Sequence, residues 1–363
     1  MGSRTEDRVL GDLPWRLEDL GPEWLSGALS GRHAGVRVES VELLAHQHGT
    51  NRNGRLRLHY AAGSTGPETL FVKLPPAAEP QRELVLRSGM GRREAFFYRH
   101  LGDRVPVRVP RLHFALHDDA TGGFAIGIED LRSSGCTLLD GVEGVSRAFA
   151  DQAMADFAAL HAELPAGADG AKGVLPLLRM REYGVGMLEH ALATRREALG
   201  PEFCAMAELY VASFNGLHDL WESGPLAVVH GDAHVTNLFE DRGRAGYFDW
   251  GCFSLAPPMR DVSYFLCTSL PVERRREWER ELIEVYLDHR AAGGSPGPTF
   301  DDAWREHRLH AGYAVVAAAP AALYGGAATT ADPAYSRAFV ARVTAAVHDL
   351  ESVEALRTAL AGR

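Results

Sequence analysis

Residues 230–249 hold the densest set of reactive side chains in the chain: His230-Gly231-Asp232-Ala233-His234-Val235-Thr236-Asn237, then Asp249-Trp250-Gly251. Four residues separate Asp232 from Asn237, and Asp249 follows one hairpin later. Phosphoryl transfer calls for such a trio, with one carboxylate to take the acceptor hydroxyl's proton and two hard oxygen ligands to hold magnesium on the phosphates. On this reading Asp232 is the catalytic base, and Asn237 and Asp249 are the metal ligands. His230, Asp232 and His234 also admit a zinc site, because imidazole and carboxylate suit that ion, and a zinc hydrolase is the corresponding alternative.

Short extended segments must carry this loop. Ala227-Val228-Val229 leads into it, Asn237 to Glu240 leaves it, a turn at Asp241 to Arg244 follows, and Gly246 to Asp249 returns. The surrounding sequence is helical in spacing. Phe149, Ala153, Phe157, Leu160 and Leu164 recur at intervals of three and four over Ser146 to Leu164, which makes an apolar helix face. Further helices are expected at about 177–195, 202–221, 273–290, 302–323 and 333–359.

The first 131 residues read differently. A helical lead-in over Trp15 to Leu29 precedes a period of two at Val36, Val38 and Val41 to Leu44, then a turn at His48 to Gly54, and alternation again at Leu56, Leu58 and Tyr60. This is a hairpin. Leu70 to Leu74 is a third strand, carrying Lys73. Residues 90–101 have helical spacing, and extended segments return at Arg111 to Leu116 and Gly123 to Ile128, ending in Glu129-Asp130-Leu131. The order expected before residue 132 is three strands, one helix and two strands.

The chain has 363 residues, more than one ordinary domain, so two lobes are expected, 1–131 and 132–363. The formal charge is −10, which disfavours a generic nucleic-acid surface. Residues 1–131 balance 17 basic against 17 acidic side chains, so the whole excess falls after residue 131. Cys136, Cys204, Cys252 and Cys267 contain no C-x-x-C pair, so neither a disulfide framework nor a cysteine zinc site is expected. No stretch approaches the roughly 20 apolar residues of a membrane span, and charged residues stand at the N-terminus where a signal peptide would be apolar. A cytoplasmic protein with no membrane or nucleic-acid partner is the expectation.

His230 to Asn237 resembles the H-G-D-x-H-x-x-N element, and Phe248-Asp249-Trp250 the second metal element, of the aminoglycoside phosphotransferase and choline kinase group. The D-x-x-x-x-N spacing matches the general kinase template. A closer likeness is to ecdysteroid-kinase-like bacterial phosphotransferases, through Glu23-Trp24-Leu25, Gly49-Thr50-Asn51 and Glu129-Asp130-Leu131. The resemblance runs from about residue 17 to 350. It implies an α+β, two-lobed protein-kinase-like fold, with an antiparallel N-lobe sheet plus helix and a mostly helical C-lobe. It also implies ATP as co-substrate with Mg2+, and a small-molecule hydroxylated acceptor.

The resemblance further implies that Lys73 reaches the nucleotide phosphates and that Glu94 holds Lys73. Phe71, which shares a strand face with Lys73, would line the adenine slot. Backbone groups of Glu129 and Leu131 would meet the adenine edge, and Gly49, Thr50 and Asn51 would cover the phosphates. Asp261, in Ala256-Pro257-Pro258-Met259-Arg260-Asp261, would brace the catalytic loop; Ala256 stands where the family has Gly. A nucleotide-binding pseudoenzyme of the same fold is a second alternative. The choice of acceptor stays open: the acidic C-terminal part suits a cation, whereas Arg179, Arg181, Arg195 and Arg196 suit a neutral or acidic metabolite, and the likeness suggests a steroid-like alcohol. ATP against GTP, the oligomeric state and the role of His234 also stay open.

Overall fold

A computed structural model describes residues 12–48, 50–162, 179–295, 297–325 and 332–363. They form two compact units. The first takes the described residues to Val105, with Val109–Thr137 and Trp250–Cys252; the second takes Pro106–Arg108, Leu138–Asp249 and Phe253–Arg363.

In the first unit, helix α1 (Pro22–Leu29) precedes β1 (Val38–His48), β2 (Arg52–Tyr60) and β3 (Thr69–Leu74). Helices α2 (Glu79–Ser88) and α3 (Met90–His100) follow, then β4 (Leu112–His117) and β5 (Phe124–Ile128). The strands pair antiparallel in the order β1-β2-β3-β5-β4. Along β2, Gly54, Leu56 and Leu58 point inward while Arg55 and Arg57 alternate outward, as a half-buried strand requires. A Cβ on Gly54 would stand 2.7 Å from the Leu17 side chain, so this glycine serves the packing of the N-terminal segment on the sheet. Pro22 starts α1 at its first turn, where its missing N–H costs nothing.

Two helices, not one, separate β3 from β4. Only Val85 and Ser88 of α2 are buried, so its sequence carries little apolar periodicity from which a helix could be read. In α3 the buried set is broader and includes Glu94, Phe97 and Tyr98. Phe97 stacks face to face on Trp250, with ring centroids 3.9 Å apart.

The second unit holds α4 (Arg147–Ala162), α5 (Arg181–Leu199) and α6 (Pro201–Trp221), reached in the chain through the two-residue strand β6 (Thr137–Leu138). Then come β7 (Ala227–Val229), β8 (Leu238–Asp241), β9 (Arg244–Tyr247) and β10 (Ser254–Ala256). Helices α7 (Met259–Ser269), α8 (Val272–Ala292), α9 (Phe300–His310), α10 (Tyr313–Tyr324), α11 (Pro333–Asp349) and α12 (Ser352–Ala361) complete it. Strand β7 pairs with β10, and β8 with β9.

Three features differ from the sequence expectation. Helix α7 was not expected; all eleven of its residues are buried, Arg260, Asp261, Ser263, Thr268 and Ser269 among them, so its polar side chains are turned into the protein and not to solvent. The helix expected over 302–323 is two, α9 and α10. That over 333–359 is α11 and α12, parted where Glu351 takes a left-handed φ of 48°. The start of the helix expected from residue 177 lies outside the described residues.

Candidate active site

The catalytic-loop residues hang from β7 and are fixed mainly by backbone bonds. Asp261, fully buried on α7, accepts from the N–H of His230 at 2.6 Å and of Gly231 at 2.8 Å. His161 Nε2 stands 3.3 Å from the same carboxylate, and His161 Nδ1 is 3.1 Å from the Tyr286 hydroxyl. Burial pushes the Asp261 carboxyl up, but its bond with His161 and the loop N–H donors outweigh this and hold it below the usual carboxylate range. An ionised Asp261 thus clamps the start of the loop. Gly231 turns there with φ +81°, a conformation that a side chain would strain.

His230 has no exposure, and both its ring nitrogens are engaged. The Asp232 N–H donates to Nδ1 at 3.2 Å, and Nε2 lies 3.0 Å from the Phe248 carbonyl. That pair requires the neutral Nε2–H tautomer, and burial lowers the pKa of the imidazole in agreement with it. With both nitrogens used inside the loop, His230 is a brace and is not offered as a zinc ligand. Among the described residues no group of three or more His, Cys, Asp or Glu side chains is arranged to hold a metal ion.

Asp232 is held from two sides. The Tyr264 hydroxyl donates to Oδ1 at 2.8 Å, while Asn237 Nδ2 is 3.2 Å from Oδ2 and 2.9 Å from the Asp232 carbonyl oxygen. His234 Nε2 is farther from Oδ2, at 3.7 Å; its Nδ1 meets the Thr236 hydroxyl at 3.0 Å and the Tyr335 hydroxyl at 3.1 Å. Committing Nδ2 to Asp232 leaves Oδ1 as the group through which Asn237 can bind a cation. The Phe248 N–H donates to the Asn237 carbonyl at 3.1 Å, extending the β8/β9 ladder by one step, so that Phe248 stands opposite Asn237 and Asp249 follows it in the chain. Asp249 takes φ +62°, a strained setting that Asp tolerates better than most residues. An amide oxygen and a carboxylate are hard donors that fit Mg2+.

In the first unit, Lys73 Nζ lies 2.7 and 3.0 Å from the two carboxylate oxygens of Glu94, and both side chains are buried. Lys73 stands opposite Asn53 on β2 and Ile126 on β5, in mid-sheet. Phe71 on the same strand is half-buried. At the end of β5 the Glu129 N–H donates to the Arg111 carbonyl at 2.8 Å, and the Leu131 carbonyl accepts from Cys136 at 3.0 Å. Between them, Asp130 takes the Arg55 fork at 2.9 to 3.1 Å and the Ser133 hydroxyl at 2.8 Å. Neither this ion pair nor the donation from Tyr264 to Asp232 has a signature in the sequence.

In the turn between β1 and β2, Thr50 is exposed. Asn51 is buried, its Oδ1 sealed without a hydrogen-bond partner, so an anion would meet its donors rather than that oxygen. Gly49 lies outside the described residues. Of the four arginines expected near the acceptor, Arg179 pairs with Asp219 at 2.7 Å and Glu222 at 2.9 Å, and Arg196 with Glu208 at 2.7 Å. Arg181 stands over the Phe214 ring at 5.4 Å.

An antiparallel sheet with a buried lysine–glutamate pair, and a helical unit with a clamped His-Gly-Asp loop, define a kinase-like phosphotransferase. The model of the phosphotransferase enzyme family matches residues 50–309, and the chain belongs to that family; it is a small-molecule phosphotransferase. No curated protein matches the sequence significantly. Among solved structures, a choline/ethanolamine kinase family protein from Mesorhizobium loti is similar at 16% identity, over 88% of this chain and 93% of that one, with a TM-score of 0.50. The ethanolamine kinase of Plasmodium vivax is similar at 11% identity, over 85% and 81%, with a TM-score of 0.51. At these identities the likeness speaks for the fold alone.

Proposed function

We propose that the protein transfers the γ-phosphoryl group of ATP to an alcohol of a small molecule. The arrangement of Asp232 carries this reading. Its loop is locked at the backbone by Asp261, and Tyr264 and Asn237 orient its carboxylate, so a base is held in one pose before the acceptor arrives.

The acceptor hydroxyl would give its proton to Asp232 as its oxygen forms the new P–O bond. The bond from the γ-phosphorus to the leaving ADP oxygen breaks in the same displacement. Lys73, oriented by Glu94, would bind phosphate oxygens, and the Thr50–Asn51 turn, with Gly49, would cover them. Phe71 would lie against the adenine, whose edge would meet the Glu129 carbonyl and the Leu131 N–H. Asn237 and Asp249 would hold Mg2+, which when bound supplies positive charge to the phosphates. Residues 1–131 would thus serve the nucleotide and 132–363 the acceptor, in a cytoplasmic enzyme.

The test is D232N assayed with Mg-ATP against a panel of alcohols. General-base help is worth on the order of 10²- to 10⁴-fold, so turnover should fall by at least that lower figure while Mg-ATP affinity, read by titration calorimetry, stays within about twofold. Full turnover in D232N would refute the assignment. A wild type that binds Mg-ATP but transfers to no alcohol would favour the pseudoenzyme.

A further inference from the structure

The helical unit contains a buried cation without a counter-ion. Arg260, the second residue of α7, is 5% exposed, and its guanidinium lies 3.7 Å above the centre of the Tyr313 ring. Its Nε is sealed and has no hydrogen-bond partner, and no carboxylate of the described residues reaches the group. The two terminal nitrogens are not sealed, and among the described residues they too have no hydrogen-bond partner. Other buried arginines of this unit have their charge met: Arg275, whose Nε is likewise sealed without a partner, pairs through its terminal nitrogens with Glu279 and Asp349, and Arg342 meets the carbonyls of Gly141, Val142 and Thr268.

Stacking on an aromatic face recovers only part of the solvation that such a charge loses. The immediate surroundings supply no compensating charge. Arg260 sits at the N-terminus of α7, the positive end of the helix dipole, and His310, on which it bears, is a fully buried imidazole that burial keeps neutral. A group of opposite charge is therefore missing from this place, and a guanidinium, with its planar fork of donors, is suited to a carboxylate or phosphate.

The place is also connected to the base. Arg260 and Tyr264 are four residues apart on α7 and so lie on one face, and the Tyr264 hydroxyl donates to Asp232. The Tyr264 and Tyr313 rings are 6.4 Å apart, so Asp232, Tyr264, Tyr313 and Arg260 follow one another in a chain of contacts. We propose that Arg260 is the anion anchor of the acceptor site, and that the acceptor is a hydroxylated acid, with its alcohol at Asp232 and its carboxylate or phosphate at Arg260. This rests on the phosphotransferase reading above and sets the protein apart from a kinase of cationic amino alcohols.

The test uses the full chain and matched probes: glycerate, 3-hydroxybutyrate and 3-hydroxydecanoate with their methyl esters, glycerol 3-phosphate with glycerol, and choline and ethanolamine as cationic controls. Binding is read by titration calorimetry, and phosphoryl transfer from Mg-ATP by ADP release. The expected result is that at least one acid binds tenfold or more tighter than its neutral partner. In R260Q that preference should vanish and the KM for the acid rise tenfold or more, with the KM for ATP unchanged; R260K should keep part of the preference. Circular dichroism melts establish that both variants are folded.

The carboxylate and phosphate pairs tell which anion is held. Equal or better binding of the neutral or cationic probes, no binding by any probe, or an R260Q that keeps the acid preference would each overturn the proposal. Acid binding that depends on Arg260 without transfer would leave the anchor standing and remove the kinase reading. Transfer to neutral or cationic alcohols that R260Q does not alter would do the reverse.

Discussion

Tyr264 shows how much one hydroxyl can contribute at a site of this kind. It is buried, and burial together with the Asp232 charge raises its pKa well above the ordinary phenol value, so it remains a donor to Asp232 at 2.8 Å. A hydrogen bond to a charged group is worth about 1.5–3 kcal/mol. We expect Y264F to lose about tenfold or more in kcat, with the KM for ATP unchanged and the melting temperature little altered, since the ring still fills its place. A loss confined to KM, or none, would mean that Asp232 is oriented without this residue. The sequence displays Asp232, Asn237 and Asp249 because their types and spacing are themselves the signal; Tyr264 carries no such mark, being one more aromatic residue in an apolar run.

At the level of elements, strand β3 and helix α3 are joined by the Lys73–Glu94 ion pair, whose side chains are 4% and 1% exposed. Removing one partner of such a pair leaves an uncompensated buried charge and costs about 3–5 kcal/mol, whereas replacing both by apolar groups is often near neutral. K73A should therefore lower the stability seen in urea unfolding by that order, and K73M/E94L should regain most of it while failing to bind ATP. A double variant no more stable than K73A would show that the pair is not what couples strand to helix. Lys73 and Glu94 were both legible as candidates. Their pairing followed only from the family resemblance, since they stand 21 positions apart with the unforeseen α2 between them.

Across the whole molecule, buried histidines link stability to pH. Burial, helped by the nearby charges of His33 and Arg111, brings His113 down to about 4, and burial beside Arg260 and His307 brings His310 down to about 3. Both stay neutral in the folded chain while the unfolded chain takes up protons near pH 6.5, so stability must fall as pH drops below that value. At pH 5 each contributes a loss of about 2 kcal/mol relative to pH 7. Urea unfolding at the two pH values should show the decrease, and H113Q should make it smaller by about 2 kcal/mol. An unfolding midpoint that does not move between pH 7 and pH 5 would contradict the assignment of both groups.

The sequence by itself determined the local facts: period-two strands before residue 131, helical periods after it, and a loop whose residue types spell phosphoryl transfer. These signals reside in neighbours along the chain, where backbone geometry imposes a fixed repeat and a loop must keep its reactive groups in order. Only the tertiary structure decided which side chains face one another. The donation from Tyr264 to Asp232 spans thirty-two residues, the Arg55–Asp130 pair seventy-five, and the stacking of Arg260 on Tyr313 more than fifty. Helix α7, which carries three of the residues that matter most here, is buried on every side. Its polar side chains are enclosed by the rest of the unit, and their meaning comes from what packs around them.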